Sequence, residues 1–230
     1  MVAVLAILAA GSSSRAGVDK VLADLGGHPV LIWSVQAGLV AGCFREIVVV
    51  APSEKLAEVN AATRGFGSLR VVAGGATRTA SSWSALDAAG DTDVLAIHDA
   101  ARPFVPPSLF HRCVEIAEAH GSAIAGLPLA DTVRRANEAG AAREEIERDG
   151  LWAAQTPQAF RRELLEKARA AVGDRSFSDD AAAVVAAGLP VKMVAGERRN
   201  LKITTFEDLA YARELAAKGL VGLAAPQVIR

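Results

Sequence analysis

An α/β fold with a mainly parallel central sheet is the architecture this sequence predicts. Short apolar runs alternate with segments of about ten to fifteen residues that read as helices, the order expected of βαβ units. The runs are also apolar from end to end, as in VAVLAIL (2–8) and IVVV (47–50), which is how strands covered on both faces look. With 230 residues, 51% of them hydrophobic, the chain can build one domain of ordinary size around a large core.

The elements follow in order. Residues 2–8 form the first strand. Pro29 suits the first turn of a helix reaching about Ala41. Residues 45–50 make the second strand, ended by Ala51 and Pro52, and residues 54–63 read as helix. Leu69 to Val72 is a short third strand, after which Gly74 and Gly75 turn the chain into a helix from about Thr79 to Ala89. Asp93 to Ile97 is the fourth strand, Pro106 and Pro107 open a helix to about His120, and residues 122–127 are the fifth strand.

The pattern breaks at Asp131. The stretch TVRRANEAGAAREEIERDG (132–150) is polar, charged and marked by glycine. It reads as a β-ribbon or arm with Asn137 to Gly140 as its turn. Such an excursion usually has a function: the residues leave open a solvent-exposed insertion or a dimerisation arm that also shapes a site. Leu151 and Trp152 return the chain to the apolar body. Next come a helix from about Arg161 to Val172, an acidic patch at Ser178, Asp179 and Asp180, a short alanine-rich helix and a late strand at Val191 to Val194. Asn200 to Ile203 lead into a last helix, with Thr204 or Thr205 as candidate N-cap.

Composition removes several function classes. A formal net charge of -1 gives no global field for nucleic acid or an anionic membrane. Cys43 and Cys113 lack metal-ligand spacing and suggest no disulfide framework, so both are expected to be reduced and structural. The N-terminal apolar run is too short to span a bilayer and has no basic region before it. A cytoplasmic protein is the expectation.

The remaining polar residues gather where strands end. After the first strand, Ala9, Ala10 and Gly11 expose backbone N–H groups, and Arg15 and Lys20 add two cations in the same loop. The loop is neither a Walker A sequence nor a dinucleotide fingerprint. Its ingredients are still those of a phosphate cradle, with Arg15 able to make bidentate contacts and Lys20 acting as a mobile charge; the residues alone leave open that both cations face water. The fourth strand runs into His98, Asp99 and Arg102, and ligands of open α/β sheets collect at such carboxyl ends. Asp99 suits a hydroxyl or magnesium and Arg102 a phosphate, or the two form an internal salt bridge; His98 is expected to be a packed, hydrogen-bonded residue. Gly74, Gly75, Arg78 and Ser81 are a third cluster, fit for a nucleotide or for helix capping. Lys202, between Leu201 and Ile203, either points from a strand into a cleft or snorkels.

These segments together resemble the 2-C-methyl-D-erythritol 4-phosphate cytidylyltransferase family. The resemblance spans residues 2 to about 218 and rests on AAGSSSR (9–15), GGATRTAS (74–81), HDAARP (98–103), ADTVRRA (130–136), ERDGLWAAQTPQAF (147–160), SDDA (178–181) and NLKITTFEDL (200–209). It implies a Rossmann-like nucleotide-diphospho-sugar transferase fold, with 132–150 as a β-arm for homodimerisation. It implies CMP transfer from CTP to a methylerythritol phosphate with magnesium. Arg15, Lys20 and Lys202 would act at the reacting phosphates. Ala9, Ala10, Gly11, Gly74, Gly75 and Ser81 would hold the nucleotide. Asp99, Arg102, Thr132, Arg148 and Thr156 would bind the second substrate, with Asp99 also near the metal.

Asp19 and Val21 depart from the family's usual proline before the loop lysine and glutamine or small residue after it. Ala76 stands where an acidic residue is common, and Arg134 where lysine is common. These departures bear on the loop and on the cytosine contact, not on the reaction class. Two alternatives remain at this stage: a cytidylyltransferase for another polyol phosphate, such as ribitol 5-phosphate, and a catalytically silent scaffold.

Overall fold

The structure is a computed structural model that describes residues 1–10 and 19–220. The first apolar run forms β1 (Ala3–Leu8), buried along its whole length. It is followed by β2 (Asp24–Leu25), β3 (His28–Pro29), α1 (Val30–Ala41) and β4 (Glu46–Ala51). A 3-10 turn at Ser53–Lys55 leads into α2 (Leu56–Ala62), then β5 (Leu69–Ala73), α3 (Arg78–Ala88), β6 (Val94–Asp99), α4 (Pro107–His120) and β7 (Ser122–Pro128). The chain continues through β8 (Val133–Ala136), β9 (Ala142–Ile146), β10 (Trp152–Arg161), α5 (Arg162–Val172), α6 (Asp180–Ala186), β11 (Met193–Ala195) and α7 (Phe206–Ala217).

Seven strands form the central sheet in the order β11-β7-β10-β6-β1-β4-β5. Neighbours run parallel except at β10, which is antiparallel to both β6 and β7. The period of two along β1 divides the core. Ala3, Leu5 and Ile7 pack with Leu31 of α1, Val59 of α2 and Phe110 of α4. Val4, Ala6 and Leu8 pack with Leu86 of α3, Leu165 of α5 and Val184 of α6. Helices on both faces explain why β1 shows no polar alternation.

The expected strands and helices are present with their ends shifted by a residue or two. Three places differ from the sequence reading. The segment expected merely to return the chain is the ten-residue strand β10. Pro157 argues against an interior strand, and it is accommodated because the ladder to β7 is interrupted between Ala154 and Gln158. The pair Gly26–Gly27, with φ of 64° and 86°, closes the small β2–β3 hairpin, a turn that needs positive φ at both central residues. Residues 200–203, including Lys202, are not a strand; the backbone there is irregular.

The arm is a hairpin. Strands β8 and β9 pair antiparallel, Asn137 N–H donates to the Ala141 carbonyl, and the Arg134–Glu145 (3.1 Å) and Arg135–Glu144 pairs cross the strands. Charged residues with little burial give this ribbon no core of its own.

A third apolar cluster anchors the C-terminal helix. Leu25, Trp33, Phe104, Ile203 and Leu209 are buried together, with Trp33 edge-on to Phe104 at 5.6 Å. Among the described residues no helix is long and apolar enough to cross a membrane. The cap of α7 is Thr205: its side chain accepts the Asp208 N–H at 3.2 Å, and the Asp208 carboxylate accepts the Thr205 N–H at 2.9 Å. Such a capping box satisfies donors the helix itself leaves open. Thr205→Ala is expected to cost about 1 kcal/mol, seen as a lower urea midpoint with an unchanged slope; an unmoved midpoint would show that the cap contributes nothing.

Candidate active site

Asp99 is the last residue of β6, beside β1 in the middle of the sheet. Its position at the carboxyl end of a parallel strand is where α/β sheets bind ligands. The residue is 9% exposed, so its carboxylate needs compensation. Lys202 Nζ donates to Oδ2 at 2.6 Å, and Arg78 Nη2 lies 3.4 Å from Oδ1. Burial pushes the Asp99 pKa up, but Arg78, Lys202 and Arg102 outweigh it and hold the carboxylate below its ordinary range.

The two cations paired with Asp99 arrive from different elements. Arg78 opens α3, directly after the Gly74–Gly75 turn, with Thr77 as N-cap. It also pairs with Asp180 at 2.8 Å, and Asp180 opens α6 behind the capping residue Asp179. Burial opposes the charge on Arg78, yet Asp180 and Asp99 raise its pKa above the usual guanidinium value. Lys202 is delivered by its neighbour: Ile203 is fully buried and its N–H donates to the Ala101 carbonyl at 2.8 Å. Lys202 therefore points at Asp99, from irregular backbone and not from a strand.

Arg102 does not pair with Asp99, so the simple Asp99–Arg102 salt bridge is not formed. Its guanidinium donates to the carbonyls of Asn200 (2.7 Å) and Ala154 (3.5 Å). Burial lowers its pKa, partly offset by Asp99.

Two loops meet beside this cluster. A β-carbon on Gly74 would lie 2.8 Å from Ser81 Oγ and 2.9 Å from the Ala10 methyl, so only glycine lets the third loop approach the first this closely. The Gly75 N–H donates to Ser81 Oγ at 3.2 Å, and the Ser81 hydroxyl donates to the Thr77 carbonyl at 3.0 Å. Lys20 Nζ donates to the Thr204 carbonyl at 3.2 Å, which brings the first-loop lysine to the segment carrying Lys202. Asp19 accepts the Val21 N–H at 3.2 Å and forms an ion pair with Lys55. That gives the departure at Asp19 a structural role in the loop. Gly11 and Arg15 lie outside the described residues.

The model of the 2-C-methyl-D-erythritol 4-phosphate cytidylyltransferase family matches residues 1–217. The chain belongs to this family. A cytidylyltransferase of that name from Geobacillus kaustophilus is 36% identical over 219 residues, covering 92% of this chain and 95% of its own. The bifunctional enzyme IspD/IspF of Anaeromyxobacter sp. (strain Fw109-5) is 43% identical over 219 residues, covering 92% of this chain; the chain spans 57% of that longer relative. The solved structure of the cytidylyltransferase from Thermus thermophilus superposes with a TM-score of 0.80 at 34% identity, covering 94% of this chain and 100% of that one. The fold is thus the Rossmann-like nucleotidyltransferase fold of the family.

Of the residues the sequence singled out, Lys20, Lys202, Asp99, Gly74, Gly75 and Ser81 lie in the contacts just described, with Ala9 bonded to the Val50 carbonyl at 2.8 Å and Ala10 against Gly74. Thr156 is buried and bonded to the Asp99 backbone. Thr132 and Arg148 are exposed at the base of the arm, where Arg148 donates to the Ala130 carbonyl. Among the described residues neither hydrogen-bonds to the Asp99 cluster.

Several organising residues escaped the sequence reading. Asn200 donates to Gln155 Oε1 (3.2 Å) and to the Thr156 carbonyl (2.8 Å). Gln158 accepts the N–H groups of Asp180 and Ala181 at 3.1 and 3.0 Å. The available signal was three amide side chains in otherwise apolar or motif-bearing segments, LWAAQTPQAF and NLKI, which suit satisfied buried polar groups.

His98 supplies a pH prediction. Burial pushes its pKa down to about 4 despite the neighbouring Asp99, with Arg102 and Lys202 opposing protonation. A folded pKa below the unfolded value means the unfolded chain takes up the proton first. Stability is therefore full above about pH 6.5 and falls toward pH 4, by about 3 kcal/mol from His98. Asp99, also depressed, lowers it further in more acid solution. Chemical unfolding between pH 7.5 and 4.5 should show this decline, reduced in His98→Gln; a flat profile would contradict it.

Proposed function

We propose that the protein transfers CMP from CTP to 2-C-methyl-D-erythritol 4-phosphate, giving 4-diphosphocytidyl-2-C-methyl-D-erythritol and pyrophosphate. The observation that carries the reading is the cationic cluster of Lys202, Arg78 and Arg102 around Asp99 at the carboxyl ends of the strands, in a chain whose residues 1–217 match the family. Membership supports cytidylyl transfer to a polyol phosphate; the methylerythritol phosphate is the finer choice made here.

A phosphate oxygen of the polyol phosphate attacks the α-phosphorus of CTP, the α–β bridging bond breaks, and pyrophosphate leaves. The attacking oxygen is already an anion, so no strong general base is needed, which agrees with a buried, neutral His98. Catalysis then depends on alignment and on fixed positive charge where negative charge builds up. Lys20 and Arg15 would stabilise the triphosphate, and Lys202 would hold the attacking phosphate near it. Gly74, Gly75 and Ser81, with Ala9, Ala10 and Gly11, would frame the nucleoside. Thr132 and Arg148 would reach the polyol phosphate from the arm, and Arg102 and Thr156 would shape its other side. The arm at 132–150 would join two copies, and the cytoplasm is the expected compartment.

Magnesium fits this site in a limited way. Among the described residues no cluster of three acidic, histidine or cysteine side chains is present, and Asp180 is engaged by Arg78. Asp99 is likewise engaged, by Lys202 and Arg78, and as the one carboxylate at the end of β6 it would hold an ion that takes most of its other ligands from substrate phosphates and water. Bound there, such an ion would supply charge neutralisation to the substrate phosphates.

Pyrophosphate release from CTP and magnesium tests the reading, with methylerythritol 4-phosphate and ribitol 5-phosphate offered in parallel. Release with the first substrate is expected. Preference for the second would overturn the substrate, and silence with both would overturn the activity. Arg148→Ala should raise the KM for the polyol phosphate about tenfold, the loss of about 1.4 kcal/mol of binding, with a smaller change for CTP. Equal changes would remove Arg148 from the second substrate.

A further inference from the structure

The imidazole of His98 is fully buried beneath the turn that carries Asp99 and Arg102, and both of its nitrogens are hydrogen-bonded. Nε2 lies 3.2 Å from the Arg102 carbonyl oxygen. A carbonyl only accepts, so Nε2 carries the proton. On its other side the ring faces a hydroxyl whose oxygen already accepts the Asp99 backbone N–H, so the hydroxyl proton is the one directed at Nδ1, which accepts it. Its partner is Thr156 Oγ1 at 3.0 Å, so the threonine hydroxyl donates to the ring. Thr156 Oγ1 in turn accepts the Asp99 backbone N–H at 3.0 Å.

This chain connects both ends of the turn to one rigid ring. The turn itself closes through the Arg102 N–H and the Asp99 carbonyl at 3.0 Å. Ser34 donates to the Ala100 and Arg102 carbonyls at 3.2 and 3.3 Å, and Phe110 stands edge-on to the imidazole with centroids 5.2 Å apart. The groups that hold the backbone of Asp99 and Arg102 therefore come from β6, β10, α1 and α4.

We propose that His98, as its neutral Nε2–H tautomer, is a positioning residue for the reaction, setting the Asp99–Arg102 turn through Thr156. The role, though not the geometry, rests on the function proposed above. It also changes the part assigned to Thr156. That residue is 3% exposed and its hydroxyl proton is committed to His98, so it serves the site by placing Asp99, not by donating that proton to substrate.

The tautomer is read by 15N–1H correlation of the labelled full-length protein at pH 7 without substrate, the His98 signals being identified by their loss in His98→Gln. A protonated Nε2 and a bare Nδ1 are expected; a proton on Nδ1 would overturn the inference. Kinetics test the role. Thr156→Val should lower kcat by about tenfold to 100-fold, the scale on which small misplacements act, with the KM for CTP changed less than about threefold. Thr156→Ser should restore most of the rate. Adding His98→Gln to Thr156→Val should cost less than it does in the parent chain, because both act in one network. Additive losses, or Thr156→Ser as slow as Thr156→Val, would overturn the role. A parent chain with the expected tautomer that releases no pyrophosphate would overturn the proposed function and the positioning role with it.

Discussion

A carboxylate buried at the end of a central strand has to be neutralised, and that requirement at Asp99 decides how the surrounding loops meet. Lys202 comes from the segment before α7, and Arg78 from the start of α3. Arg78 is shared with Asp180 at the start of α6. Removing one partner of a buried pair typically costs about 3–5 kcal/mol, because the other charge stays buried. The cluster thus couples three connections that share no sequence neighbourhood, and apolar anchors such as Ile203 bring their charges to it.

The same arrangement suits a polyanionic ligand. Fixed cations are more effective in a partly buried site than in water, and they need little rearrangement when charge develops. Lys20 reaches the Thr204 carbonyl next to this cluster, and Gly74 lets the loop after β5 contact Ala10, just after β1. The sheet provides the common frame: β1, β4, β5 and β6 run parallel, so the connections that follow them open on the same edge.

Much of this was legible in the sequence because it depends on local pattern. Strands apolar from end to end announced a sheet covered on both faces, and the polar, glycine-marked stretch 132–150 announced the ribbon. The strand β10 was harder to read, since Pro157 and two glutamines interrupt its pattern, and only the break in its ladder with β7 admits them. The Arg78–Asp180 pair spans about a hundred positions of sequence, and no periodicity records such a contact. For Asp99 and Arg102 the sequence left a salt bridge as one alternative, but the link between them is backbone: His98 lies beneath the turn and carbonyls surround the guanidinium.

The most direct measurement is the turnover of Asp99→Asn with CTP, magnesium and polyol phosphate all saturating, alongside its unfolding midpoint. Asparagine keeps the shape and removes the charge. If the Asp99 cluster is the reacting centre, the variant folds with a lowered midpoint and turns over at least about 100-fold more slowly. A folded Asp99→Asn protein with the parent's turnover would contradict that assignment.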